Sequence, residues 1–310
     1  MRQVMARNEG PLTDETVARL MREIMSACLS LESPLTVAYL GPEGTYTQGA
    51  VHKHFGHAVR SRPMVAIDEI FRDVEAGNSH YGVVPIENSS EGVVSHTLDL
   101  FVSSPLRICG EVTLPIHHHL LSDQDLPDGI TKVIAHPQSL AQCRTWLQTR
   151  LPAAELETAS SNGKAARLVA ENPGRGWAAI AGRPAAELYA LKIAAANIED
   201  ESDNTTRFLV IGRQQTAPTG DDMTSFVCSA HGGDQRPGAL FELLKPFSDA
   251  GVNMTRIESR PSRRGNWNYN FYIDVAGHAD NAPLNEVLKA VESRSDLFKI
   301  LGSYPRAPLA

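Results

Sequence analysis

Cysteine is scarce: Cys28, Cys109, Cys143 and Cys228 are the only four in 310 residues, far apart and without a Cys-x-x-Cys pair. The pattern fits reduced, half-buried thiols of a cytosolic protein rather than a disulfide framework. No run approaches the ~18 apolar residues that a membrane helix needs. The opening MRQVMARNEGPLTDE has no apolar core of a secretory signal. The sequons at Asn88, Asn204 and Asn253 therefore carry no message about glycosylation. Positive charge is also short: 29 Lys and Arg against 36 Asp and Glu give a net charge of −7, and the pI is about 5.9. That balance argues against nucleic acid as the main partner, since phosphate binding needs a basic face. The nucleotide loops GxGxxG and GxxxxGK[ST] are missing, as are the hydrolase signatures GxSxG and HExxH. No internal repeat or low-complexity segment stands out.

What remains is an ordinary globular composition, 42% hydrophobic and 21% charged, with length for about two domains. Residues 13–33 read as one amphipathic helix, capped by Thr13 and ended by Ser33-Pro34; its apolar stripe must pack elsewhere or on a partner chain. Strands are expected at residues 35–40, 81–85, 107–113, 117–121, 132–135, 177–180 and 208–211. Helices are expected after the loop 41–47, at 67–76, around 94–101, in one helix carrying Gln142 and Trp146, at 164–172 and at 183–191. The alternation predicts an α/β domain with largely parallel pairing. Residues 214–222 look like a linker. Beyond it the order is strand (224–230), helix (238–250), strands (253–259, 268–277), helix (283–294) and strand (298–304), a ferredoxin-like βαββαβ unit.

Polar residues gather where strands end and helices begin. Gly41-Pro42-Glu43-Gly44-Thr45-Tyr46-Thr47 is a tight turn into a helix N-terminus, whose free N–H groups suit a carboxylate or phosphate. Glu87, Asn88 and Ser89 follow a strand, where open α/β sheets place ligands. Gln138 with Gln142, and Ser161, stand at two further loops of this kind. Asn204-Thr205-Thr206-Arg207-Phe208 is the sharpest segment: Arg207 can fork onto a carboxylate, and Thr206 can donate a hydrogen bond or proton. His117, His118 and His119 suggest a metal, but neighbours on a strand point to opposite faces, so the three do not converge.

Several motifs occur together and in order: VAYLGPEGTYT (37–47), YGVVPIENSSEGVV (81–94), HHHLL (117–121), HPQSLAQC (136–143), SNGKAA (161–166) and NTTRFLVIG (204–212). In these residues 36–213 closely resemble prephenate dehydratase. Residues 223–305 resemble the ACT regulatory domain, with Pro237-Gly238-Ala239-Leu240 and Glu258-Ser259-Arg260-Pro261 as markers. Residues 5–34 resemble the end of a chorismate mutase domain, as found in bifunctional chorismate mutase–prephenate dehydratases.

The resemblance implies decarboxylating dehydration of prephenate to phenylpyruvate, on the route to phenylalanine, with no redox cofactor or metal. It implies two periplasmic-binding-protein-II-like lobes, about 35–112 plus 197–213 and 113–196, with the ACT domain at 222–305. Thr206 matches the family's essential threonine and is expected to donate to the departing ring hydroxyl. Arg207 is expected to anchor or neutralise substrate charge, or to orient Thr206. Thr45, Glu87, Asn88, Ser89, Gln138, Gln142, Ser161 and Phe208 are expected at the substrate, with Glu87 ordering its loop. Gly238, Ala239, Leu240, Glu258, Ser259, Arg260 and Pro261 are expected to bind L-phenylalanine as feedback inhibitor between two ACT domains, hence a homodimer or homotetramer. Ala135 stands where the family often has Ser. Glu32 stands where a mutase helix carries a Gln or Glu, but the mutase's first helix and most of its second have no counterpart, so no mutase activity is expected. The helix then reads as a remnant, unless the natural start lies upstream of Met1. Other readings are arogenate dehydratase, a non-catalytic ACT-linked ligand sensor, and a periplasmic binding protein, which the missing signal argues against.

Overall fold

The computed structural model describes residues 2–125, 127–230, 236–262 and 268–307. After a short α1 (Arg2–Met5), Thr13 accepts a hydrogen bond from the Thr16 amide and caps α2 (Asp14–Glu32). Asp14 and Glu15 fill the first turn, where the helix dipole favours negative charge. The helix docks by a narrow face of small residues, with Ala18 and Ser26 buried. The Glu23 carboxylate also accepts from the His57 amide at 3.0 Å and lies 2.8 Å from His57 Nδ1. Leu20, Ile24, Met25 and Leu29 of the apolar stripe stay exposed.

Three sheets follow among the described residues. The first contains β1 (Thr36–Leu40), β2 (Arg60–Met64), β3 (Tyr81–Asn88), β5 (Arg107–Pro115) and β11 (Thr205–Gly212) in the order β2-β1-β3-β11-β5, with the short β4 (Gly92–Val93) on β3. Helices α3 (Tyr46–Phe55), α4 (Ile67–Ala76) and α5 (Ser95–Ser103) cover it. Burial on both faces explains the continuous apolar run of β1: Val37 and Tyr39 enter one core with Ala50 and Phe208, whereas Ala38 enters the other with Ile70 and Phe101.

The second sheet has the order β10 (Lys192–Ala195), β6 (His119–Ser122), β9 (Trp177–Ala181), β7 (Lys132–Ala135), β8 (Glu155–Thr158). It carries α6 (Pro137–Gln142), α7 (Arg144–Arg150), α8 (Asn162–Ala170) and α9 (Arg183–Leu188). The single helix expected through Gln142 and Trp146 is two, broken at Cys143, which sits at φ −113°, ψ 15°. Strands β2 and β8 escape the sequence pattern because they are edge strands with mostly exposed side chains.

Pairing is mixed rather than largely parallel. β1 pairs with β2 and β3, and β7 with β8 and β9, in parallel; β11 runs antiparallel to both β3 and β5. The reason is the route of the chain. β5 carries it out of the first sheet and β11 brings it back, so the two crossing strands lie side by side in opposite directions. Residues 116–118 and 196–204, between the sheets, form the hinge.

The third sheet, β13 (Met254–Pro261), β14 (Tyr269–Ala276), β12 (Asp222–Ala230) and β15 (Ser295–Pro305), is antiparallel and carries α10 (Ala239–Asp249) and α11 (Leu284–Glu292) on one face. Its other face is not free. Met223, Val227, Tyr272, Leu301 and Tyr304 join one cluster with Phe71, Phe101 and Leu209 of the first sheet's domain. Residues 222–228 are all buried because β12 is covered on both sides. At ~1.5–3 kcal/mol per fully buried large apolar side chain, this contact fixes the C-terminal domain against the first lobe.

Candidate active site

The hinge collects the polar side chains. Thr206, the second residue of β11, lies opposite Asn88 of β3. Asn88 Nδ2 donates to Thr206 Oγ1 at 2.8 Å and to Asn204 Oδ1 at 2.7 Å. Asn88 Oδ1 accepts from the amides of Ser90 and Glu91, both at 3.0 Å, so the residue is locked in one orientation. Thr206 therefore uses its oxygen as acceptor within the protein, and its proton remains available to a ligand. Ser89 ties the same two strands: its Oγ accepts from the Thr205 amide at 2.9 Å, and its own amide donates to the Thr205 carbonyl at 2.9 Å.

From here a hydrogen-bond chain crosses between lobes. Asn204 Nδ2 donates to Gln142 Oε1 at 3.4 Å, and Gln142 Nε2 donates to Glu91 at 3.3 Å. His118 Nε2 donates to Gln142 Oε1 at 2.8 Å; the Tyr46 hydroxyl lies 3.0 Å from His118 Nδ1 and 2.8 Å from the His117 carbonyl. Burial pushes the His118 imidazole below its ordinary pKa, against the opposing pull of Gln142 and Glu199. Glu199 itself is held below the usual carboxylate range: burial opposes its charge, but bonds from the His117 ring and the His118 amide outweigh it. The three histidines thus reach three different partners, His119 Nδ1 accepting from the Asn197 amide at 3.1 Å.

The lobes also meet at two helix N-termini. Thr45 Oγ1 caps α3 by accepting from the Gln48 amide, and Ser161 Oγ caps α8 by accepting from the Lys164 amide at 3.1 Å. The next amides of each helix have no intrahelical acceptor. The ends are adjacent: a Cβ on Gly163 would stand 2.5 Å from the Glu43 carbonyl oxygen. Tyr189 Oη donates to that same carbonyl at 3.4 Å. Gln138 is exposed at the start of α6, its amide donating to His136 Nδ1 at 3.4 Å.

Three expected cleft residues lie elsewhere. Arg207 follows Thr206 on a strand, so its side chain emerges on the opposite face. There it donates to Glu111 at 2.8 Å, Asp274 at 2.7 Å and the Tyr304 hydroxyl at 3.0 Å. Burial opposes its charge, but Tyr304, Asp274 and Glu111 hold the guanidinium protonated. Glu87, beside Asn88, turns the same way and meets Arg256 at 3.2 Å. Phe208 is 2% exposed in the core under α3, not at the cleft. In the C-terminal domain, alternation along β13 splits the segment 258–261. Arg260 pairs with Asp99 of α5 at 3.0 Å, and Glu258 shares that face, in register with Tyr272. Ser259 is in register with Phe271 on the helix-covered face, the side on which Pro261 also falls. Gly238 caps α10 in the left-handed region at φ 82°, followed by half-buried Ala239 and exposed Leu240. Conversely Tyr46, His118, Asn204 and Glu91 belong to the network although they were not expected at the substrate. They lie inside the recognised motifs, and weighing HHH as a metal pattern hid the single inter-lobe histidine.

Two α/β lobes joined by a polar hydrogen-bond network where they meet, with a βαββαβ domain packed on the first, define a two-lobed α/β protein with an attached ferredoxin-like module. Residues 37–216 match the family model for prephenate dehydratase, and residues 231–293 that for the ACT domain. The chain is similar over its whole length, at 53% identity, to the bifunctional chorismate mutase/prephenate dehydratase of Pseudomonas aeruginosa, of which it covers 84%. Among solved structures it resembles prephenate dehydratase from Arthrobacter aurescens in complex with L-Phe (TM-score 0.80, 33% identity, 89% of this chain and 92% of that one). It equally resembles GqqA, described as a novel type of quorum quenching acylase (TM-score 0.80, 28% identity, 88% and 98%). This chain belongs to the prephenate dehydratase family. No described helix is long and apolar enough to cross a membrane.

Proposed function

We propose that this chain is a carbon–oxygen lyase that converts prephenate to phenylpyruvate, carbon dioxide and water. The observation that carries the reading is the Asn88–Thr206 bond at 2.8 Å, which leaves the threonine proton free where the two lobes meet. In the reaction the bond from ring carbon to carboxylate breaks and its electron pair enters the ring. The bond to the ring hydroxyl breaks in turn, and the leaving oxygen takes one proton, supplied by solvent over the whole turnover, to become water. Aromatisation drives the step, so the protein's work is to position the dianion, stabilise the departing oxygen and exclude bulk water. Thr206 donates a hydrogen bond to that oxygen. Threonine is a weak acid, so its contribution is positional and electrostatic.

Arg207 does not meet the substrate carboxylates in this reading. The capped N-termini of α3 and α8, brought together at Glu43 and Gly163, supply oriented amides and positive dipole ends for them. Thr45, Ser161, Asn88 and Gln142 stay as the cleft residues, with Tyr46 and His118 holding the lobes together.

The ACT domain senses L-phenylalanine. Gly238, Ala239 and Leu240 with Ser259 and Pro261 form the effector side, and Arg260 connects it to the first lobe through Asp99. Exposed Leu240, Phe241 and Ile257 on this side favour a contact between two copies. The test supplies pure protein with prephenate, arogenate and an N-acylated amine in parallel. Phenylpyruvate from prephenate is the expected product. Its absence from folded protein refutes the reading; arogenate turnover or deacylation in its place assigns another activity. Turnover unchanged at saturating phenylalanine refutes the regulatory part.

A further inference from the structure

The face of β11 opposite Thr206 holds a charged cluster that no catalytic step uses. Arg207 lies at its centre, bonded to Glu111 of β5 and, across the domain boundary, to Asp274 of β14 and Tyr304 of β15. Asp274 accepts from Ser225 Oγ at 2.6 Å, and Ser225 Oγ lies 2.7 Å from the Tyr304 hydroxyl. Arg256 of β13 stands 3.9 Å from Asp274 and 3.2 Å from Glu87. Side-chain exposures are 19% for Arg207, 7% for Glu111 and 6% for Asp274, so these charges are held out of water by one another.

Two features give the cluster leverage on the cleft. Its first-lobe members are backbone neighbours of the site: Arg207 adjoins Thr206, and Glu87 adjoins Asn88, the two in register across β11 and β3. The ladder between those strands is irregular between Arg207 and Phe208. Side-chain anchors therefore matter more for the backbone there than in a regular ladder. On the other side, β13 is an edge strand. Arg256 and Arg260 on one of its faces reach into the first lobe, while Ser259 and Pro261 take the face on the helix side. A small movement of β13 thus pulls on Glu87 and Asp274 together.

We propose that Arg207 and Glu87 are positioning residues through which the C-terminal domain sets Thr206 and Asn88, with Asp274 as the joint. The inference rests on the dehydratase reading above. Asp274→Asn keeps shape and the Ser225 bond but removes the charge facing Arg207 and Arg256. Glu87→Gln, at a site 38% exposed, cuts the second link with less risk to folding. In each variant kcat should fall roughly tenfold with KM within about twofold, the signature of lost transition-state positioning. Phenylalanine should still bind by calorimetry with unchanged affinity yet no longer alter turnover.

Hydrogen exchange over residues 204–208 should quicken several-fold. That readout needs no turnover, so it decides the inference even if the wild-type protein fails on prephenate and the dehydratase reading falls. Exchange at the wild-type rate in a folded variant overturns the proposal, as do wild-type kcat with an intact phenylalanine response, or loss of phenylalanine binding itself. Should Asp274→Asn not fold, Glu87→Gln decides alone.

Discussion

Replacing Gly163 by alanine tests whether the lobes must close as they do here. Gly163 is buried at the second position of α8, and an added Cβ would sit 2.5 Å from the Glu43 carbonyl oxygen, where real Cβ contacts stay beyond 3.0 Å. The obstacle is backbone, so no side chain can rotate away. Helix or loop must yield by at least about 0.5 Å in a close-packed interface. A displacement of about 1 Å at reacting groups costs on the order of 10²-fold in rate. Half of that predicts a loss of roughly tenfold in kcat/KM, about 1.4 kcal/mol. Stability should fall only modestly, because the roughly 1–3 kcal/mol cost of relieving the overpacked contact is partly offset by the up to ~1 kcal/mol that alanine contributes over glycine in a helix. Steady-state kinetics on prephenate and thermal unfolding of the same preparation separate the two effects. Wild-type kcat/KM in Gly163→Ala would show that the contact is irrelevant to turnover. Reduced activity accompanied by a large drop in Tm would show instead that the substitution merely damages the second lobe.

Thr206→Val removes the donor to the leaving oxygen and should lower kcat by about 10²–10³, with far-UV circular dichroism unchanged, whereas Thr206→Ser should stay within about tenfold of wild type. Wild-type turnover of the valine variant removes Thr206 from the mechanism. Burial, aided by Arg22, depresses the His54 pKa from 6.5 to about 4. The unfolded chain therefore takes up a proton first, and stability is complete above about pH 6.5 and falls as pH drops toward 4. The loss should be about 2 kcal/mol at pH 5 and approach ~3 kcal/mol below pH 4. Urea titrations at pH 7.5 and 5 should show a correspondingly smaller loss in His54→Gln; an equal loss in both proteins overturns the assignment.

Much of this was legible from local rules. The βαββαβ order, the caps Thr13, Thr45 and Ser161, and the buried run of β1 follow from periodicity, polar caps and flanking turns. The edge strands β2 and β8 were not, because an exposed edge needs no apolar alternation and leaves no trace in composition. The break at Cys143 was not either, since nothing in the local residues announces where the helix turns.

The sequence by itself determined which residues stand next to one another along the chain, and so which polar groups gather at strand ends, Asn88 and Thr206 among them. Only the tertiary structure decided where neighbouring side chains go. On β11 and β3 one step along the strand reverses the face, so Thr206 and Asn88 meet at the cleft while Arg207 and Glu87 are sent to the C-terminal domain. The same alternation on β13 sends Arg260 to Asp99. A motif read as one catalytic string is thus two surfaces back to back. The direction of each side chain is set by the pleat, and its partner is set by whichever domain packs against that face.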